Sequence, residues 1–447
     1  MDDFQVEGFR EILRSDTHQA VATAVDLRIP ELAVLLRSLT IEESVQLLKL
    51  LPLDTAVEVF DEPTLQLRRE MVEYLDMDLV ASIANHMSPD ERADFFGNLD
   101  DSTQAQLRPR LNAEARAELE QLLVFPKTSA GGIMTIDFVQ TSPTHSVAEA
   151  IERVRAIGDD VEIVYNIYVV EPGTARLLGV ASLRNLLMAQ PDQVMDEIMN
   201  DSPVTVRVDT DQEEVARTLS KYNLIAIPVV DAQNKILGIV TVDDVIDVLV
   251  EEGTEDLQRI SAMEPLESSY FRTGLVEIVR KRAGWLVVLF FGELFTGTAL
   301  RHYDSAIEAA RVLVFFVPLI ISSGGNSGSQ SASLIIRGLA TGEISLGQWA
   351  RVVRRETISG LLLGLILGVI GLGRAVLWGN AMDVAAVVAI TLVGVVAAGA
   401  LVGAIMPLVL KRAGFDPAVS STPFIASLVD VLGIVIYFSL AKWILGI

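Results

Sequence analysis

Residues 417–447 read PAVSSTPFIASLVDVLGIVIYFSLAKWILGI. The stretch is long and apolar enough to cross a bilayer, which takes ~20 apolar residues in a helix. Its only acid is Asp430, and no charge follows from Val431 to Ala441. A carboxylate in the middle of a hydrocarbon slab costs ~2.5–3.5 kcal/mol even on lenient insertion scales. Two readings stay open: an acid hydrogen-bonded to a neighbouring helix, or an acid facing a water-filled path.

Outward from this segment, four more of spanning length lie at about 283–302, 308–337, 356–379 and 383–410, and none precedes Ala283. The charge divides at the same place. The 447 residues hold 59 acids and 35 Lys or Arg, net −24. Residues 272–447 contain 9 acids and 14 bases, leaving 50 and 21, net −29, for residues 1–271. A strongly acidic soluble half is thus joined to a mildly basic membrane half. Such a half disfavours nucleic acid and anionic lipid as partners and suits a cation. There is no cysteine, the four histidines form no HxxxH pair, and no nucleophile–base constellation stands out, so an enzyme is not expected. The start, MDDFQVEGFR, is acidic and lacks an apolar core, which predicts no signal peptide and a cytoplasmic soluble half.

Residues 1–128 carry helical spacing, as in Leu32, Leu35, Leu36 and Leu39, then Val45, Leu47, Leu48 and Leu51. Thr40, Asp54 and Ser88-Pro89 read as helix starts. LTIEESVQLLKLLPLDTAVEVF and MSPDERADFFGNLDDSTQAQL look alike, which predicts stacked helix pairs. Residues 129–250 hold a second repeat. Each copy has a short strand, an amphipathic helix, two apolar strands and a last helix opened by Ser182 or Thr241. It resembles a tandem pair of CBS domains, which implies a regulatory α/β module and makes ATP a candidate ligand. The Ser/Thr-x-x-Asp step that would hold a ribose is present as Thr241 to Asp244, but ends in Asn185 in the first copy. Residues 251–281 predict a long linking helix into the membrane, acidic at its start and basic at its end.

Within the membrane half (282–447), Arg280, Lys281, Arg282, Arg337, Arg351, Arg354, Arg355, Lys411 and Arg412 fall on one side. The positive-inside rule then puts the N-terminus in the cytoplasm and the C-terminus outside, across the inner membrane. Gly360, Gly364 and Gly368, and Gly399 and Gly403, have the spacing of close helix packing. The second segment, VPLIISSGGNSGSQSASLIIR, is too polar to face lipid. Asn326, Ser329 and Ser333 offer oxygens, the ligands hard cations prefer, although helix–helix hydrogen bonding is the commoner role of a single membrane serine.

GGNSGSQSASLIIRGLAT, DPAVSSTPFIASLVDVLG and TVDDVIDVLVEEGTED together resemble the MgtE family of magnesium channels and transporters. The resemblance implies a helical N domain, tandem CBS domains, a linking plug helix and an all-α, five-helix membrane domain. It implies a homodimer with one pore, and Mg²⁺ as both the transported ion and the gating ligand. Asp430 would be the pore acid, with Asn326, Ser329, Ser333 and Ala426 nearby. The sensing acids would be Asp90, Asp94, Asp211, Glu213, Asp244, Asp247, Glu252, Glu255 and Asp256. Family members often carry asparagine where this chain has Ser329 and Thr422, and Asn223 replaces one expected acid. A broader carrier of Co²⁺ and Mn²⁺, and a membrane-tethered nucleotide sensor without transport, are the alternatives. No GxxxxGK[ST] motif is present, so ATP consumption is not expected. Glu293 is a second membrane-depth acid, either on the pathway or near a membrane boundary.

Overall fold

Every described regular element before Val139 is helical. The computed structural model describes residues 3–62, 65, 67–158, 161, 163–266, 270 and 273–447. The helices form where apolar stripes and caps coincide. Thr40 opens Ile41–Leu48 with a capping box closed by Glu43. Ser88 and Pro89 open Pro89–Gly97. Asp54 is not a cap: its helix starts one residue earlier, behind Pro52, and Asp54 lies in the first turn, where its charge still favours the helix N-terminus. All eight apolar positions read from spacing, Leu32 to Leu51, are buried.

The chain divides into two compact units, Met1–Glu252 and Gly253–Ile447. In the first, each CBS copy builds a three-stranded sheet. β1 (Val139–Thr141) runs parallel to β2 (Asn166–Val170), which pairs antiparallel with β3 (Leu177–Ser182). β4 (Val206–Arg207), β5 (Ala226–Val230) and β6 (Ile236–Thr241) repeat the pattern. The copies exchange their leading segments. Thr135 trades two 2.9 Å backbone hydrogen bonds with Ile239 of the second copy, and Asn200 pairs with Val180 of the first. The N-domain helices and the second copy share one apolar core, from Leu32 and Phe96 to Val215 and Ile227.

The last CBS helix and the linking helix are one element, α1 (Val242–Ile260). The predicted uninterrupted helix over 251–281 is therefore corrected. Ala262 takes a left-handed φ of 57°, and the Met263 amide returns to the Gln258 carbonyl, closing the helix end. Pro265 follows and cannot donate to a continuing helix. No described residue between 261 and 274 is helical, and residues 267–269, 271 and 272 lie outside the described set.

Among the described residues five helical spans have membrane length, and they begin with α2 (Leu275–His302). A short 3₁₀ turn, Arg311–Phe316, leads into α3 (Val317–Ala340). α4 (Trp349–Leu377), α5 (Met382–Arg412) and α6 (Thr422–Leu445) follow. α3 packs on both α5 and α6, α4 on α5, and α2 on α6. The glycine spacing is used as predicted. A methyl added at Gly399 or Gly403 would overlap the carbonyl of Gly324 or Gly328 on α3, and one at Gly364 would sit 2.7 Å from Val393 Cα. Only glycine allows such backbone approach.

Candidate ion pathway and cation-sensing acids

α3 sorts its polar residues by face. Ser327 is buried and donates to the Val396 carbonyl at 2.9 Å, and Ser331 is buried and donates to Glu356 at 2.6 Å. These two serines hold helices together. Asn326, Ser329 and Ser333 follow at intervals of three and four, so they share the opposite stripe. Asn326 and Ser333 are exposed and Ser329 is half-buried. Ser333 donates to the Ser329 carbonyl at 2.9 Å, Ser329 to the Thr422 carbonyl at 3.3 Å, and the Asn326 amide to Ser322 at 3.4 Å.

Asp430 lies half-buried on α6, one turn after Ala426. Both face α3 at Gly325, where an added methyl would sit 3.4 Å from Ala426 Cβ and 3.5 Å from Asp430 Oδ1. The missing side chain at Gly325 leaves room for the carboxylate beside the polar stripe. Asp430, Ala426, Asn326, Ser329 and Ser333 thus lie along one α3–α6 seam.

The end of α1 is fixed to the start of that seam. Arg259 bridges Glu255, one turn earlier, and Asp416 before α6. The Ile260 carbonyl accepts from Thr422 Oγ1 at 3.3 Å. Ile260 itself packs on a cluster of Ala332, Ile336, Ala418, Ile425 and Val429.

In the first unit a buried group of acids is assembled. Asp90 is 8% exposed, and its Oδ1 is buried without a partner. Burial raises its carboxyl above the ordinary range. Burial also raises Asp244 to about 8, aided by the Asp90 charge, although Thr241 donates to its Oδ2 at 2.5 Å. Asp247, at the exposed edge of the group, is also raised, by partial desolvation and the charges of Glu62 and Asp243. Two members escaped the sequence reading. Burial takes Glu91 to about 8 and Asp61 to about 7, against the pull of Arg68, and Asp61 Oδ1 is also buried without a partner. Asp61 sits four residues after buried Val57, so its place on the apolar face was a readable signal. Asp94 is more open, 4.0 Å from Arg68, and accepts from Asn98 at 3.0 Å.

A second neighbourhood is built around Gln212, which donates to Glu252 at 2.7 Å. Beside it Asp211 caps its helix through the Glu213 amide, and Glu213 pairs with Arg217. Glu255 and Asp256 lie further along α1, in the second unit, where Glu255 pairs with Arg259. Among the described residues no three His, Cys, Asp or Glu side chains converge tightly enough to hold a bare metal ion. A cavity of about 380 Å³ opens beside Asn166, Ser182 and Arg184 of the first CBS copy and Ile225 of the second. Ser182 caps its own helix at the Asn185 amide.

Sequence patterns of three families match this chain. They are the MgtE intracellular N domain over residues 27–128, the CBS domain over 130–192 and 194–251, and MgtE, a divalent cation transporter, over 317–440. The magnesium transporter MgtE of Thermus thermophilus is 39% identical over 392 residues, 82% of this chain and 87% of the relative. The chain belongs to the MgtE family. The MgtE magnesium transporter of Enterococcus faecalis is 32% identical over 330 residues, 74% of this chain and 72% of the relative. Among solved structures, the cytosolic domain of the Mg²⁺ channel MgtE in complex with ATP is 35% identical with a TM-score of 0.52, over 54% of this chain and 99% of that one. The soluble part of a magnesium transporter is 30% identical with a TM-score of 0.51, over 56% and 98%. The order of elements described above is therefore that of an MgtE-family membrane protein.

Proposed function

We propose that this chain is a Mg²⁺-selective channel that works as a homodimer and is closed by cytosolic Mg²⁺. The observation that carries the reading is the half-buried Asp430 carboxylate set into the gap at Gly325, beside the polar stripe of α3. Across a dimer axis, two such carboxylates repel in a low-dielectric pore. A doubly charged ion relieves that repulsion better than a singly charged one. Mg²⁺ gives up its waters reluctantly, so the acids hold it through its hydration shell. Flux then runs inward down the electrochemical gradient, with the N-terminus in the cytoplasm and the C-terminus outside.

The gate lies in α1. With cytosolic Mg²⁺ scarce, the soluble lobes, at net −29 each or twice that in a dimer, repel. With Mg²⁺ bound among Asp90, Asp94, Asp244 and Asp247, joined by Asp61 and Glu91, and near Asp211, Glu213, Glu252, Glu255 and Asp256, the repulsion is lifted. The end of α1 then stays latched by Arg259 and Ile260 against the mouth of the seam. Sites of this kind should bind on the order of 10⁻³ M. ATP is proposed as a regulator at the CBS cavity beside Arg184. A broader divalent carrier for Co²⁺ and Mn²⁺ is favoured by one feature: Ser329 is short and turned to the Thr422 carbonyl.

The test is Mg²⁺ uptake by proteoliposomes holding the purified chain. Uptake should vanish in Asp430→Ala, and competition by Co²⁺ and Mn²⁺ should be weak. Uptake unchanged in Asp430→Ala rejects the channel reading.

A further inference from the structure

Between Leu286 and Phe295, α2 is apolar and turned outward, with Val287, Phe290, Phe291 and Phe295 more than half exposed. Glu293 is the one acid in that run. It lies ten residues after Ala283 and nine before His302, about 15 Å along the helix from Ala283. It therefore lies in the middle of the apolar run, not at its end. A carboxylate there facing only lipid is costly.

Two observations place the exposed Glu293 with Asp430, and a third marks a polar group on the α6 side of α2. Gly292 brings α2 against α6 one turn before Asp430, where an added methyl would sit 3.5 Å from Ser427 Cβ. Glu293 is within electrostatic reach of Asp430. Thr296, four residues after Gly292 and so on the same side of α2, is 5% exposed, and its hydroxyl has no partner. Two neighbouring acids and an unfilled buried hydroxyl suit a hydrated cation, whose outer waters donate to carboxylates and accept from or donate to hydroxyls.

We propose that Glu293 is a second carboxylate of the ion pathway, acting with Asp430 of the same chain to draw in a hydrated divalent cation, with Thr296 bonding its water shell. This rests on the transport reading above. In a dimer it doubles the pathway acids, and it gives α2 a part in conduction as well as packing.

The experiment measures Mg²⁺ uptake by the full chain in proteoliposomes for Glu293→Gln, Glu293→Asp, Thr296→Val and Asp430→Asn. Loss of one charge near a divalent ion should lower Glu293→Gln uptake at low Mg²⁺ by about tenfold and raise the half-saturating concentration. Glu293→Asp should stay within about threefold of wild type, because it keeps the charge. In parallel, native protein is treated with a carbodiimide and Glu293 labelling is read by mass spectrometry. Mg²⁺ should protect Glu293 and Asp430 alike, a result that needs no variant to fold. Wild-type uptake in Glu293→Gln, or labelling of Glu293 indifferent to Mg²⁺, while Asp430→Asn is inactive, overturns the proposal and leaves the transport reading standing. Full uptake in Asp430→Asn overturns the transport reading itself.

Discussion

The same residue type does different work in the two halves of this chain. In the acidic half fifty acids are spread over 271 residues, and a few are forced together inside the fold, where burial keeps protons on them. In the membrane half nine acids remain, and two of them, Asp430 and Glu293, lie within the apolar runs of neighbouring helices. The contrast teaches that charge density alone marks no site. What matters is how much competing solvent the fold removes around each carboxylate, and whether a cation is the cheapest replacement for it.

The largest effect that could break this contrast is at Asp430. Asp430→Asn should assemble normally, with Mg²⁺ uptake falling to the level of empty vesicles; uptake near wild type would make this acid a packing residue. Next comes the seam that holds α3 against α5. Gly403→Val should give little monodisperse protein on size exclusion, because overpacking costs about 1–3 kcal/mol or more where backbone blocks relief. A well-behaved variant would mean the helices can part.

The soluble acids sharpen the comparison through pH. Asp61, Glu91 and Asp244 keep their protons up to about 7, 8 and 8 in the folded chain, above the ordinary carboxylate values near 4. Their contribution to stability is complete below about pH 4 and is lost as pH climbs through 7 to 8. Without Mg²⁺, the melting temperature should therefore fall between pH 6 and 8.5. Added Mg²⁺ should restore it, binding with release of protons. Asp61→Asn should flatten the pH dependence, and a profile that rises over this range would contradict the buried cluster.

A smaller effect is expected at the latch. Arg259→Ala removes the bridge to Glu255 and Asp416 and should raise the internal Mg²⁺ needed to stop uptake by roughly threefold, a loss of under 1 kcal/mol for a half-exposed ion pair. Unchanged closure would leave only the Ile260 contacts as the coupling. On α3 itself, Ser331→Ala should lower stability by about 1 kcal/mol by removing the hydrogen bond to Glu356, whereas Ser333→Ala should leave melting unchanged, the smallest effect of all. Equal losses would erase the distinction between the packing and open faces of α3.

Much of this protein is settled by local sequence. Hydropathy over ~20 residues marks a spanning helix wherever its neighbours lie, so five membrane helices and the lone acid at Asp430 could be read without coordinates. Periodicity and caps likewise marked the N-domain helices and both CBS copies, since those signals act within a few turns. Tertiary structure decided the rest. The linking stretch keeps helical composition, yet it breaks at Ala262, where closure onto Gln258 wins. Ser327, Ser329, Ser331 and Ser333 are chemically equal, and only the positions of α4, α5 and α6 decide that Ser327 and Ser331 are buried against α5 and α4 while Ser329 and Ser333 lie on the α6 side. The buried partners of Asp90 come from distant stretches, and so does the nearness of Glu293 to Asp430. A side chain's own identity fixes what it can donate, accept or ionise; which solvent it loses is fixed by the segments the fold brings against it.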